Sequence, residues 1–255
     1  MKIEIEKLSK SFFKLDKSEH MVLKDITFQI EKSDFVIVLG ESGCGKTTLL
    51  NMLAGFDRPT KGKILADGEE IVKVHPSRSM LFQQPALIPW LSVEENVAYG
   101  CRLRGDLDNL EYRVIQFLEI MGLLGYAKEK PGELSLGMAH RTCLARALVG
   151  LPEVLLLDEP FAALDTFTQS HIREELVNLW LSEQFSAVFV THDIDEAIIL
   201  GNKIILLGGE PATTQEIFEI NDHYPRDISS KNLQNIRKDI LNRFKESYIA
   251  KRTLV

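Results

Sequence analysis

Apolar positions fall into distinct patterns along the 255-residue chain. Four stretches are continuous apolar runs: Phe35-Val36-Ile37-Val38-Leu39, Val154-Leu155-Leu156-Leu157, Ala187-Val188-Phe189-Val190 and Ile204-Ile205-Leu206-Leu207. Runs of this length without alternation predict parallel strands buried on both faces. Residues 3–8 and 26–30 carry alternating or β-branched apolar residues and predict two further strands. From Thr47 to Ala54 the spacing of Leu49, Leu50, Met52 and Leu53 predicts a helix. Between about 93 and 125 helical spacing dominates, broken near Gly105, and predicts a mostly helical insert. Glycine and proline punctuate 55–68, which suits a turn, a short strand and another turn. Strands alternating with helices imply an α/β domain built on a parallel sheet. After about Pro211 the chain is more polar with weaker periodicity, and one or two appended helices are expected there.

Composition changes this picture little. The chain is 45% hydrophobic and 26% charged, as a globular protein is. No stretch approaches the roughly 18 apolar residues of a membrane-crossing helix. The N-terminal MKIEIEKLSKSFF lacks the apolar core of a signal peptide. A cytosolic chain is expected, with any membrane association made through a partner. The net charge of −7 argues against a protein that coats nucleic acid. Cys44, Cys101 and Cys143 have no CxxC spacing, which fits a reducing compartment and excludes a cysteine-based zinc site.

The ends of the apolar runs carry the chemistry. Gly40-Glu41-Ser42-Gly43-Cys44-Gly45-Lys46-Thr47 matches the phosphate-binding pattern G-x-x-x-x-G-K-[ST], set between a strand and a helix as the motif requires. Its glycines let successive backbone N–H groups curl toward phosphate oxygens, and the following helix presents its positive end to the same anion. Lys46 would reach the β- and γ-phosphates, and the Thr47 hydroxyl would hold Mg²⁺. Asp158 closes the second apolar run, where it can bind Mg²⁺ directly or through water, and Glu159 follows as a candidate general base. His192 closes the third run, at the strand end where open α/β sheets bind ligands. It is a candidate to contact the γ-phosphate and orient the attacking water.

Gly40–Thr48, Gln83, Leu134–Arg141, Asp158-Glu159, Asp165 and His192 occur in the order found in ABC transporter ATPases, which the chain resembles over about residues 1–210. The segments LFQQPALIPW, ELSLGMAHR, LLLDEPFAALD and VTHDIDEA make the resemblance specific. It implies a P-loop NTPase core with a mixed, mainly parallel sheet, N-terminal antiparallel β elements and a helical signature subdomain. The domain division it implies is an ATPase domain over 1–210, with the helical subdomain inserted at about 86–150, and a short helical extension over 211–255. It implies ATP and Mg²⁺ as ligands. Gly40, Ser42, Gly43, Cys44, Gly45, Lys46, Thr47 and Thr48 would hold the phosphates. Phe12 would stack on adenine, with Phe13 as a substitute; either could instead be a core residue. Gln83 would touch Mg²⁺ or the water. Ser135 and Gly137 would cap the γ-phosphate bound by a second subunit, and Asp165 would link the two sites. Pro85 to Trp90 would lie where a permease docks, although Trp90 could equally anchor the insert's core.

Three positions depart from the family pattern. Leu136 stands where glycine is usual in the signature segment, and Met138 and His140 stand where glutamines are common. The resemblance implies a homodimer or paired subunit on the cytoplasmic side of the cell membrane. It would power an integral membrane permease, serve a solute-binding protein indirectly, and make no contact with nucleic acid. Ile-Pro-Trp-Leu-Ser-Val, Asp-Ile-Asp-Glu-Ala and a tail with Tyr-Pro-Arg-Asp resemble importers of the nitrate, sulfonate and taurine class, features that pyrimidine-precursor importers share. Two alternatives stay open: a weakly hydrolysing or regulatory cassette, because of Leu136, and an ABC ATPase outside transport.

Overall fold

The structure, a computed structural model, describes residues 1–13, 16–161 and 164–253. In chain order its elements are β1 (Ile3–Phe13), β2 (Glu19–Ile30), β3 (Phe35–Leu39), α1 (Lys46–Ala54), β4 (Lys61–Ala66), β5 (Glu69–Glu70), β6 (Arg78–Leu81), α2 (Val93–Arg104), α3 (Leu110–Ile120), α4 (Leu136–Leu148), β7 (Val154–Asp158), α5 (Thr166–Glu183), β8 (Ser186–Thr191), α6 (Ile194–Leu200), β9 (Lys203–Gly208), β10 (Thr213–Glu219) and α7 (Lys231–Thr253). They group into two compact units. The first joins Met1–His75 to the chain from Ser186 onward; the second is Pro76–Phe185.

In the first unit, β2, β1, β4 and β5 form an antiparallel sheet in that order. The strand expected at 3–8 runs on to Phe13 because its second half pairs with the start of β2, with Ser11 opposite Met21 and Phe12 opposite His20. A second layer has the order β10-β9-β3-β8. β3 lies between its parallel neighbours β8 and β9, and all five of its side chains are buried. Burying a Val, Leu, Ile or Phe side chain is worth roughly 1.5–3 kcal/mol, so β3 is an energetic anchor as well as the strand that feeds the glycine-rich loop. Its entrance is fixed by the Phe35 N–H, which donates to Asn202 Oδ1 at 2.9 Å. Its exit is level with that of β8, since Leu39 pairs with Thr191. Gly40 and His192 therefore leave adjacent parallel strands at the same height.

The tail differs from the expected helices. Residues 213–219 form strand β10, antiparallel to β9, and a helix begins only at Lys231. β10 is an edge strand with alternating half-buried and exposed positions. Its polar TTQEIFE suits an edge but gives little local signal of a strand.

In the second unit β6 and β7 are parallel neighbours, with Leu81 opposite Leu157. α4 packs on β6 and on α2, and α3 packs on α2 and α4. Ser92 caps α2 through a reciprocal box: Glu95 N–H donates to Ser92 Oγ, and Ser92 N–H donates to the Glu95 carboxylate. That carboxyl is held below the usual carboxylate range, chiefly by the Ser92 backbone bond. Asn96, fully buried, shapes the preceding loop. Its Nδ2 donates to the carbonyls of Ile88, Leu91 and Ser92, and its Oδ1 accepts from Ile88 N–H. One amide thus satisfies four backbone groups, a fixed wall for the stretch that holds Trp90. Trp90 itself is 73% exposed, which removes its reading as a core anchor.

Candidate nucleotide site

The glycine-rich loop is built by backbone geometry. Gly43 and Gly45 have φ of +80° and +101°, in the left-handed region that glycine occupies without strain. A Cβ at Gly45 would also lie 2.7 Å from Val22 Cγ1 and 2.8 Å from Leu23 Cδ2, so the loop can close on β2 only with glycine there. At Gly40 a Cβ would meet Cys44 Sγ and the Leu207 carbonyl oxygen, both at 2.8 Å. α1 starts at Lys46 with no side-chain cap, so its first N–H groups are offered to a ligand.

Lys46 is 4% exposed. Its Nζ donates to the carbonyl oxygens of Gly40 and Glu41, each at 2.9 Å, which folds the loop around the ammonium. Two neutral carbonyls satisfy hydrogen bonds of this buried ammonium but not its charge, and a phosphate oxygen is the kind of acceptor that would suit it. Ser42, Gly43 and Thr47 are exposed, while Cys44 and Thr48 are half-buried.

Beside this loop lies a cavity of about 240 Å³. Ser42, Gly43 and Cys44 line one side, His20 to Val22 of β2 another, and Gly209 to Ala212 a third. Phe12 is opposite His20 in the β1–β2 ladder, is 43% exposed, and has the Lys10 ammonium 4.9 Å from its ring centroid. It is not a core residue. Phe13 is 78% exposed and pairs with Glu19, one position further from the cavity wall. The wall residues His20, Met21 and Val22 escaped the sequence analysis, because strand pairing alone brings them to the loop.

His192 is exposed at the end of β8, directly before the cap of α6. Asp193 Oδ1 accepts from the N–H groups of Asp195 and Glu196, and Asp193 N–H donates to Thr191 Oγ1. The Thr191 hydroxyl donates to the buried Glu196 carboxylate at 2.7 Å. The turn that carries His192 is thus pinned on both flanks.

The second unit holds the remaining candidates. Asp158 is buried at the end of β7. Glu159 follows with φ of +45°, a left-handed conformation that costs a non-glycine residue on the order of 1 kcal/mol. Gln83 is exposed two residues past Leu81, so Gln83 and Glu159 sit at the same register beyond the paired strands β6 and β7. Ser135 caps α4, its Oγ accepting from Met138 N–H at 3.2 Å. Leu136 opens that helix without disturbing the cap and leaves its side chain 59% exposed. A Cβ on Gly137 would touch Leu164 Cδ2 at 3.4 Å. His140 is buried, and burial pushes its imidazole pKa down, toward the neutral form. Asp165 caps α5, where hydrogen bonds from the Thr168 side chain and amide hold its carboxyl below the usual range. Ala162 and Ala163, within the same motif, lie outside the described residues.

Residues 23–162 match the family model described as ABC transporter. The chain belongs to the ABC transporter family, as an ATP-binding subunit. Its relatives span it almost completely. It is 45% identical to the aliphatic sulfonates import ATP-binding protein SsuB of Bacillus cereus, over 96% of both chains. It is 38% identical to the nitrate import ATP-binding protein NrtD of Synechococcus elongatus, over 84% of this chain and 80% of that one. Among solved structures, the ATP-binding cassette MJ0796, in a dimeric post-hydrolysis state bound to ADP and Pi, has a TM-score of 0.77. It is 29% identical over 87% of this chain and 100% of that one. The fold expected of an ABC cassette is therefore the fold observed: a P-loop NTPase core with a mixed, mainly parallel sheet, N-terminal antiparallel strands and a helical subdomain.

Cys44 gives a direct probe of this ABC cassette's loop. Its thiol faces the loop and lines the cavity, whereas burial pushes the thiols of Cys101 and Cys143 up and shields them. A maleimide should label the native protein at Cys44 alone and abolish ATP binding, with Mg·ATP slowing the labelling. Peptide mapping after timed exposure checks this; full ATP affinity with Cys44 quantitatively modified would place the thiol away from the nucleotide.

Proposed function

We propose that this chain is the ATP-hydrolysing subunit of an importer for a small oxidised sulfur or nitrogen anion. In this reading it works as a head-to-tail pair on the cytoplasmic side of the membrane, beneath a separate permease fed by a solute-binding protein. The observation that carries the importer class is the near full-length identity to a sulfonate-import subunit, supported by the likeness to a nitrate-import subunit. The paired state is supported by the dimeric cassette of matching fold. Among the described residues no helix is long and apolar enough to cross a membrane; in this reading the permease supplies the path for the solute.

Each residue has a role in this reading. The loop Gly40–Thr48 binds the phosphates through backbone N–H groups, and Lys46 neutralises the β- and γ-phosphates. Phe12 stacks on the base. Mg²⁺ is suited to such a protein, because it takes few protein ligands and rides on substrate phosphates. Among the described residues no cluster of three or more His, Cys, Asp or Glu would hold a metal alone. The Thr47 hydroxyl, the Gln83 amide oxygen and the Asp158 carboxylate are its proposed donors, and bound there it neutralises phosphate charge. Glu159 takes the proton from the attacking water, and His192 steadies the γ-phosphate. Ser135 and Gly137 cap the phosphate of the second subunit, and Asp165 relays between the two sites. The segment 86–150 would pass the closing motion to the permease, with the exposed Trp90 at the contact; residues from 211 onward form an extension of the ATPase domain.

Glu159→Gln should keep Mg·ATP affinity within about twofold while turnover falls by 10²-fold or more, since an amide cannot accept the water's proton. Phosphate release and equilibrium titration on the same preparation separate the two effects. Turnover near the wild-type rate would remove Glu159 from the role.

Leu136 favours a second reading, a cassette that hydrolyses slowly. The helix start is intact, so any cost arises where this exposed leucine meets the nucleotide of the paired subunit. A well-aimed donor lost to a developing oxyanion costs about 3 kcal/mol, roughly a hundredfold in rate. Leu136→Gly should raise steady-state turnover several-fold with unchanged affinity of the monomer for ATP. Equal or lower turnover in a folded, pairing Leu136→Gly protein would show that the leucine is tolerated.

A further inference from the structure

The Tyr224-Pro225-Arg226 stretch has no part in the nucleotide chemistry described above, yet it holds the helix that follows His192. Arg226 spreads its guanidinium over four carbonyl oxygens. Nη1 donates to Ile198 at 2.7 Å and to Gly201, Nη2 to Ile220 at 3.1 Å, and Nε to Asp222 at 3.2 Å. The Tyr224 hydroxyl donates to the Leu200 carbonyl at 2.6 Å, and the guanidinium carbon stacks 4.2 Å from the Tyr224 ring centroid. Three of the five acceptors, Ile198, Leu200 and Gly201, are at the carboxyl end of α6, where a helix leaves its last carbonyls without partners.

α6 has seven residues, too few to hold its own conformation in water. Its geometry is therefore imposed from outside, at three points. The amino end is held by the Thr191, Asp193 and Glu196 network. The first turn is held from the side by Arg237 of α7, which donates to both Asp195 carboxylate oxygens, at 2.6 and 3.4 Å. The carboxyl end is held by Tyr224 and Arg226. It is also wedged against the strand that feeds the phosphate loop: a Cβ on Gly201 would lie 2.3 Å from Ile37 Cγ1. α6 thus cannot shift along its axis without breaking the Arg226 bonds at one end or moving Asp193 and His192 at the other.

We propose that Arg226, assisted by Tyr224, is a positioning residue for hydrolysis: it fixes α6 against β3 and so sets the place of His192 relative to the phosphate loop. The inference rests on the reading of His192 as a group that acts on the γ-phosphate. Removing the guanidinium leaves the α6 carbonyls to water and lets the His192 turn drift, while the phosphate loop, held by β3 and Lys46, keeps its shape. The defect belongs to turnover rather than to ATP binding.

The test is a double-mutant cycle on the full chain. Arg226→Gln should lower kcat about tenfold, the scale of a small misplacement of a catalytic group, with the Kd for Mg·ATP within about twofold of wild type. Arg226→Lys should recover part of the loss, and Tyr224→Phe, which removes one donor and keeps the stack, should show a smaller loss of the same kind. In a His192→Ala background Arg226→Gln should change the single-turnover rate by less than about twofold, because the two changes remove one interaction. An equal loss in both backgrounds, or wild-type kcat in Arg226→Gln, overturns the inference. Wild-type turnover in His192→Ala alone overturns the reading of His192 beneath it, and is a separate result. If Arg226→Gln does not fold, the ring signal of His192 in Tyr224→Phe decides: it should shift or broaden while that of His20 stays in place, and an unchanged His192 signal contradicts the clamp.

Discussion

The ammonium of Lys46 is the constraint around which this cassette is organised. It is buried at the start of a helix and held by two carbonyl oxygens of its own loop. A buried charge of that kind costs free energy, and the proposed phosphate site would offset it; the shape of the loop in turn dictates the rest. Gly43 and Gly45 must be glycines for their positive φ, and Gly45 also because Val22 and Leu23 leave no room for a side chain. β3 must be fully buried to hold the loop's base, and β8 must end level with it to bring His192 to the same height. Remove the ammonium and the loop loses what it wraps around; remove a glycine and it cannot wrap.

The carboxylate side follows a different logic. β7 delivers Asp158 buried and Glu159 in a left-handed conformation, so the chain accepts local strain at the residue proposed as general base. The amide of Gln83 leaves the neighbouring parallel strand at the same register. Helix caps do the comparable work for the signature and linking segments, with Ser135 and Asp165 each fixing a helix start by one accepted N–H. Polar side chains that sequence patterns mark as catalytic or binding here have a second task in the backbone, which ties the chemistry to the fold.

Much of this was legible in the sequence where signal is local. The apolar runs at 35–39, 154–157, 187–190 and 204–207 each became a buried strand, and the helices at 46–54 and 93–120 follow their apolar spacing. What could not be read locally depends on pairing across the chain. β10 is polar because an edge strand needs one half-buried face, and its strand character comes from β9. His20 to Val22 line the cavity because β2 returns beside the loop. Asn96 looks like an ordinary helical polar residue until its four backbone partners are seen. The Tyr-Pro-Arg stretch was visible only as a family mark; its hold on α6 spans 24 residues from Tyr224 and 28 from Arg226.

Whether the buried ammonium serves a polyphosphate is tested most directly by calorimetric titration of the full chain with Mg·ATP, ADP and AMP, beside the Lys46→Met variant. A charge-assisted bond is worth about 1.5–3 kcal/mol, so affinity for ATP should fall roughly tenfold to a hundredfold in Lys46→Met, and AMP should bind wild type and variant equally weakly. AMP binding as tightly as ATP, or Lys46→Met retaining wild-type affinity for ATP, would show that the loop is not organised around the phosphates.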